Sequence, residues 1–166
     1  MKQSTKLMIA DFAESCYAFN EIAGKDNDVS LNDLKKQLVL IYEEVDEISE
    51  GLVDNNPTEV LDGVIDTLVV TIGLLQKLEN LGINVEEAME RTAANNLSKF
   101  TPNIEVAQQS VKALKANSIN ARTDYNAQYN VFVIKDSNDK VRKPWNFESN
   151  DLTCCVPEEL KNGFKE

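Results

Sequence analysis

The chain has 166 residues, enough for one domain with a real core, or one domain with a small appendage. A formal net charge of -11, from Asp+Glu 28 against Lys+Arg 17, argues against a primary nucleic-acid or anionic-membrane binder. With His 0 there is no Ser-His-Asp or Cys-His nucleophile system, no His-bearing zinc site and no Glu-x-x-His di-iron bundle.

Residues 4–23 carry Leu7, Ile9, Phe12, Ala13, Cys16, Phe19 and Ile22, mainly at three- and four-residue steps, which predicts an amphipathic helix. Gly24 and the polar residues after it break the pattern. Ser30 then reads as an N-cap, with Asp33 three residues on. A second helix is expected over 31–52, on the stripe Leu34, Leu38, Ile41, Val45, Ile48, Leu52. Gly51 and the Asp54-Asn-Asn-Pro turn end it, and Pro57 suits the first turn of a third helix running to about residue 81. Apolar residues cover most of that helix, so it is expected to be buried and central. Further helices are expected over 85–96 and 104–114. Tyr129 to Ile134 alternates, Asp136-Ser-Asn-Asp turns and Lys140-Val-Arg follows, which predicts a small β-hairpin and then an extended arm.

The fold class expected is therefore an all-α bundle of four to five helices with a small C-terminal β-hairpin and arm. Residues 1–120 would form the helical domain, with 121–166 packed on it. Cys16, Cys154 and Cys155 are odd in number and two are adjacent, so reduced thiols in a cytoplasmic protein are expected. The N-terminus lacks the apolar run of a signal peptide, and residues 67–75 are too short to span a bilayer.

The informative feature is acidic. Glu44 and Glu47 lie three apart on the second helix, and Glu43 stands four from Glu47. On the third helix Glu59, Asp62 and Asp66 follow at steps of three and four, again on one face. Glu59 sits early enough to favour the positive end of the helix dipole. The linker is short, so the helices should be antiparallel neighbours whose acidic faces converge. Neither carries a Lys or Arg between Lys36 and Lys77. Carboxylates pressed against apolar stripes need a positive partner, and hard oxygen ligands suit Mg²⁺. A free carboxylate beside such an ion can activate water.

Glu43-Glu44-Val-Asp-Glu47, a short linker and Asp62-Gly-Val-Ile-Asp66 resemble the paired acidic helices of the all-α nucleoside triphosphate pyrophosphohydrolases. This superfamily includes the MazG-like and phosphoribosyl-ATP pyrophosphohydrolase-like enzymes. RTAANNLSKF is similar to the segment whose Asn and Lys face the nucleotide phosphates, here Asn96 and Lys99, with Asn95 beside them. Asn138-Asp-Lys-Val-Arg-Lys-Pro-Trp-Asn-Phe resembles the tail of phage-type members, with Asp139 in place of the usual turn Gly.

The resemblance implies Mg²⁺-dependent hydrolysis between the α- and β-phosphates of a nucleoside triphosphate. Mn²⁺ is the alternative ion. Glu44, Glu47, Asp62 and Asp66 would hold the metal, and Glu43 or Glu44 would activate water. Asn95, Asn96, Lys99, Lys143 and Trp145 would bind substrate. Many members have ExxD in the second acidic helix, which Glu59-Val-Leu-Asp62 also satisfies, so Asp62 against Glu59 is left open. The resemblance further implies a homodimer or homotetramer, and a host cytoplasm if the protein is phage-encoded. Two other readings are a non-catalytic helical module that binds nucleotides or a protein, and phosphoribosyl-ATP as the substrate.

Overall fold

The structure, a computed structural model, describes residues 3–25 and 29–164. Residues 26–28, in the expected break after the first helix, and the Leu7 side chain lie outside the described residues. Helices α1 (Gln3–Ile22), α2 (Leu31–Val53), α3 (Pro57–Asn80), α4 (Val85–Leu97) and α5 (Ile104–Ala116) precede an antiparallel hairpin of β1 (Ala121–Asn126) and β2 (Val131–Asp136). Short 3-10 turns follow at Thr153–Cys155 and Glu158–Leu160. The fold is mostly helical, and no described helix is long and apolar enough to cross a membrane.

The chain divides into two compact units, Met1–Val85 with Thr153–Glu166, and Glu86–Leu152. Within the second of these, α5 packs on the hairpin.

In the first unit, α2 begins where the Ser30 hydroxyl accepts the Asp33 N–H and the Asp33 carboxylate accepts the Ser30 N–H, a capping box. The Ser30 hydroxyl, and then Lys36, hold the Asp33 carboxyl down at about 2. At the start of α3, Asn56 caps the N–H groups of Thr58 and Glu59, and Pro57 fills the first turn, where no N–H is required. Polar bonds tie α1 to α3: Asn20 Nδ2 donates to Gln76 Oε1 at 2.9 Å and the Tyr17 hydroxyl to Glu79 at 2.8 Å. Burial, then Glu79, pushes the Tyr17 hydroxyl up to about 12.

The expectation that α3 is buried all round is corrected. Its buried residues are Gly63, Ile72, Gly73 and Gln76, while Leu61, Val64 and Ile65 are exposed. Within this unit α1 and α2 pack on it and cover only part of its girth.

In the second unit the core is Ala107 of α5 with Ala121 and Ile134 of the hairpin, flanked by Val111, Leu114 and Phe132. The hairpin itself is a second correction. The partner of β2 is Ala121–Asn126, with Ala121 opposite Asp136, and Tyr129 lies in the connecting turn. The predicted partner, Lys140 to Arg142, makes one isolated bridge, Val141 to Lys135. Asp139 has φ 59, the left-handed region that favours glycine and that Asp tolerates better than most residues.

Asp136 organises that last turn. It is 4% exposed and accepts the N–H groups of Asn138 and Lys140 and the Arg142 guanidinium, Nη2 at 2.6 Å. Burial pushes its carboxyl up, but these donors together outweigh it and lower the value. A lowered carboxyl stabilises the fold above its ordinary titration range and loses that contribution as pH falls through the lowered value. Asp136→Asn should lower the thermal unfolding midpoint by more than Lys36→Ala, which breaks only an exposed pair with Asp33. Melting both variants from neutral pH down through the carboxylate range checks this, and the gap between Asp136→Asn and wild type should close at the acid end.

Candidate functional site

The spacing of α2 and α3 is set by glycine. A Cβ built on Gly63 would lie 2.9 Å from Ile48 Cγ1, 3.2 Å from the Glu44 carbonyl oxygen and 3.2 Å from the Ile48 nitrogen. One on Gly51 would lie 3.0 Å from both Glu59 Cβ and the Val60 nitrogen. Further along, Gln37 Nε2 donates to the Val70 carbonyl at 2.8 Å. Residue 37 thus meets 70, 44 and 48 meet 63, and 51 meets 59 and 60, so the helices run antiparallel with their backbones in near contact.

This register brings the predicted acids together. Glu44 and Asp66 are half-buried, and Glu43, Glu47 and Asp62 are exposed. The Glu44 carboxyl is pushed above its ordinary range by burial first, then by Glu47, Asp66, Glu43 and Asp62. All four other candidates therefore act on one carboxylate. Glu59 is not among them. Its carboxylate accepts from Asn56 Nδ2 at 3.1 Å at the start of α3, as a helix N-terminus favours.

Among the described residues no Lys or Arg forms an ion pair with any of the five acids. No three of their oxygens gather within 4.8 Å of one another. Like charges repel, and three of the five side chains, Glu43, Glu47 and Asp62, are exposed. The donor set, several hard carboxylate oxygens with uncompensated charge, fits Mg²⁺ or Mn²⁺ and does not fit a thiophilic ion.

The remaining candidates lie in the second unit and divide among themselves. Lys99 Nζ donates to Asn96 Oδ1 at 2.8 Å, a local pair at the end of α4. Lys143 Nζ sits 4.4 Å from the centroid of the Phe147 ring. Trp145 has an exposed side chain, and its backbone N–H donates to the buried Ser110 hydroxyl at 2.9 Å. Asn95 instead lines an open cleft of about 710 Å³ between α4 and the arm. Its Nδ2 donates to the Glu148 carbonyl at 2.8 Å, and Asn150 Nδ2 donates to Thr92 Oγ1 at 3.2 Å, so the arm is fastened along the helix.

Sequence reasoning missed Arg91, Ser98, Phe100 and Asn146, which also line this cleft. Part of the signal was there. Residues 91, 95 and 98 recur at steps of four and three, one face of a helix. It also passed over Gly63, which sits inside the acidic motif.

No protein-family model matches the chain, and no curated protein or solved structure matches it.

Proposed function

We propose that this chain is a Mg²⁺-dependent nucleoside triphosphate pyrophosphohydrolase, splitting its substrate between the α- and β-phosphates into monophosphate and pyrophosphate. The observation that carries the reading is the set of five uncompensated carboxylates on the glycine-spaced α2–α3 pair, four of which raise the fifth, Glu44. Glu44, Glu47, Asp62 and Asp66 would hold the metal. When bound, the metal offsets phosphate charge and polarises the phosphoryl group. Glu43 or Glu44 orients water and takes its proton, and a raised carboxyl is better matched to that task near neutral pH. No covalent intermediate with the protein is required. The roles of Asn96, Lys99, Lys143 and Trp145 toward substrate rest on the resemblance.

A homodimer or homotetramer belongs to the same proposal. Leu38, Tyr42 and Val45 on α2 and Leu61, Val64 and Ile65 on α3 are all exposed, more apolar surface than two helices normally show to water.

The test is incubation with a panel of canonical and damaged NTPs and dNTPs and phosphoribosyl-ATP, with and without Mg²⁺, measuring pyrophosphate, orthophosphate and monophosphate. Mg²⁺-dependent pyrophosphate release from at least one substrate is expected, and its loss in a folded Glu47→Gln variant. Release from none sinks the enzyme reading for that panel, and orthophosphate in place of pyrophosphate would assign a different bond.

A further inference from the structure

The cleft between α4 and the arm has a chemistry opposite to that of a phosphate site. It is lined by Glu148 and Asp151 and by a single cation, Arg91, whose guanidinium is already paired with Glu87 at 2.7 Å. The lining side chains themselves carry more negative than positive charge, which gives a polyphosphate little to pair with. Asn95 spends one amide N–H on the Glu148 carbonyl, which leaves its other N–H and its Oδ1 for a ligand.

The lining has the features of a site for a flat, uncharged, hydrogen-bonding group. Phe100 and Phe147 supply aromatic surface, with Lys143 Nζ 4.4 Å from the centroid of the Phe147 ring. The Asn146 amide is exposed and makes no hydrogen bond among the described residues. The Glu148 carboxylate is likewise without an ion-pair partner among the described residues. A volume of about 710 Å³ lies within the usual range for small-molecule sites. The two bonds that fasten the arm, Asn95 to Glu148 and Asn150 to Thr92, hold the walls in place before any ligand arrives.

We propose that this cleft binds the nucleoside end of a nucleotide, with the base against Phe100 and Phe147. Asn95 Oδ1 and Glu148 accept from its amino or hydroxyl groups, and Asn146 reads the base edge. This rests on the reading that the ligand is a nucleotide, and it gives Asn95 a different part from the phosphate-facing one that the resemblance implies. Discrimination among bases then resides in the arm, through Asn146.

The test separates the two ends of the ligand and needs no turnover. Uncharged nucleosides (adenosine, guanosine, cytidine, uridine) and inorganic tripolyphosphate are titrated separately, without divalent metal, into the isotope-labelled full chain. The side-chain amide resonances of Asn95 and Asn146 are followed. At least one nucleoside should shift both saturably, and tripolyphosphate should leave them in place. Asn146→Ala, which removes an exposed group without a protein partner, should weaken that nucleoside about tenfold, as loss of one or two hydrogen bonds does. Phe100→Leu should weaken it as well. The proposal is overturned if tripolyphosphate moves these resonances, if no nucleoside does, or if both variants bind as the wild type. A chain that binds a nucleoside here yet releases no pyrophosphate from any substrate would retain this proposal and lose the hydrolytic one.

Discussion

Glu44→Gln should make the metal-free protein more stable and remove nearly all of the proposed activity. The two effects have one origin. Burial and four neighbouring acids push the Glu44 carboxyl up, so its charged form is disfavoured in the folded chain. A carboxyl raised on folding gives its full favourable contribution below its unfolded pKa and loses it as pH rises through the folded value. A neutral Gln at this position undergoes no such loss as pH rises. In chelator, the variant's unfolding midpoint should therefore exceed that of the wild type at neutral pH, and the two should converge on acidification. Added Mg²⁺ should raise the wild-type midpoint and raise that of the variant much less. Pyrophosphate release should fall about 10²- to 10⁴-fold, the range for loss of a group that activates water. Thermal melts with and without Mg²⁺, run beside the activity assay, check both halves. A less stable metal-free variant, or one with wild-type activity, would remove Glu44 from the centre of the cluster.

Gly63→Ala should damage the same site from behind. Alanine normally improves a helix interior by about 1 kcal/mol over glycine. Here the new methyl would meet Ile48 Cγ1 at 2.9 Å and two backbone atoms, the Glu44 oxygen and Ile48 nitrogen, at 3.2 Å. The side chain can turn aside but the backbone cannot, so α2 and α3 must separate. Overpacking of this kind costs about 1–3 kcal/mol, which exceeds the propensity gain. A net loss of roughly 1–2 kcal/mol in a denaturant titration is expected. The displacement acts on Glu44 directly, so activity should fall further than stability alone explains. A variant equal to the wild type in both would show that the helices are not held at contact distance.

The parts of this fold that sequence made legible are those in which one short-range rule suffices. Ser30 with Asp33, and Pro57 after the Asp54-Asn-Asn turn, placed the ends of α2 and α3 within a residue or two, because capping chemistry is local. The facing acids of α2 and α3 followed from helical spacing and a short linker.

What was illegible depended on partners far along the chain. β1 reads Arg122-Thr-Asp-Tyr-Asn, with no apolar alternation, since only Ala121 of that strand is buried against α5. The stretch at Val131 to Ile134 alternates, but periodicity does not say which strand pairs with it, and proximity points to the nearer segment, Lys140 to Arg142. The apolar girth of α3 told its composition and not how much of it the same chain covers. Between Glu59 and Asp62, both on one face, only the positions of Asn56 and Glu44 distinguish a cap from a member of the cluster.

The mutual repulsion around Glu44 makes protons and divalent cations rivals for the same oxygens. A carboxyl that holds its proton to higher pH must surrender it before it can ligate, so loading the cluster with Mg²⁺ should release protons, and acidification should drive the ion off. Calorimetric heats of metal binding would then depend on the ionisation enthalpy of the buffer. The apparent affinity for the ion would steepen with pH over the same interval in which Glu44 titrates. On the proposed reading, the cation affinity of the two acidic helices would be set by the acidity of their surroundings.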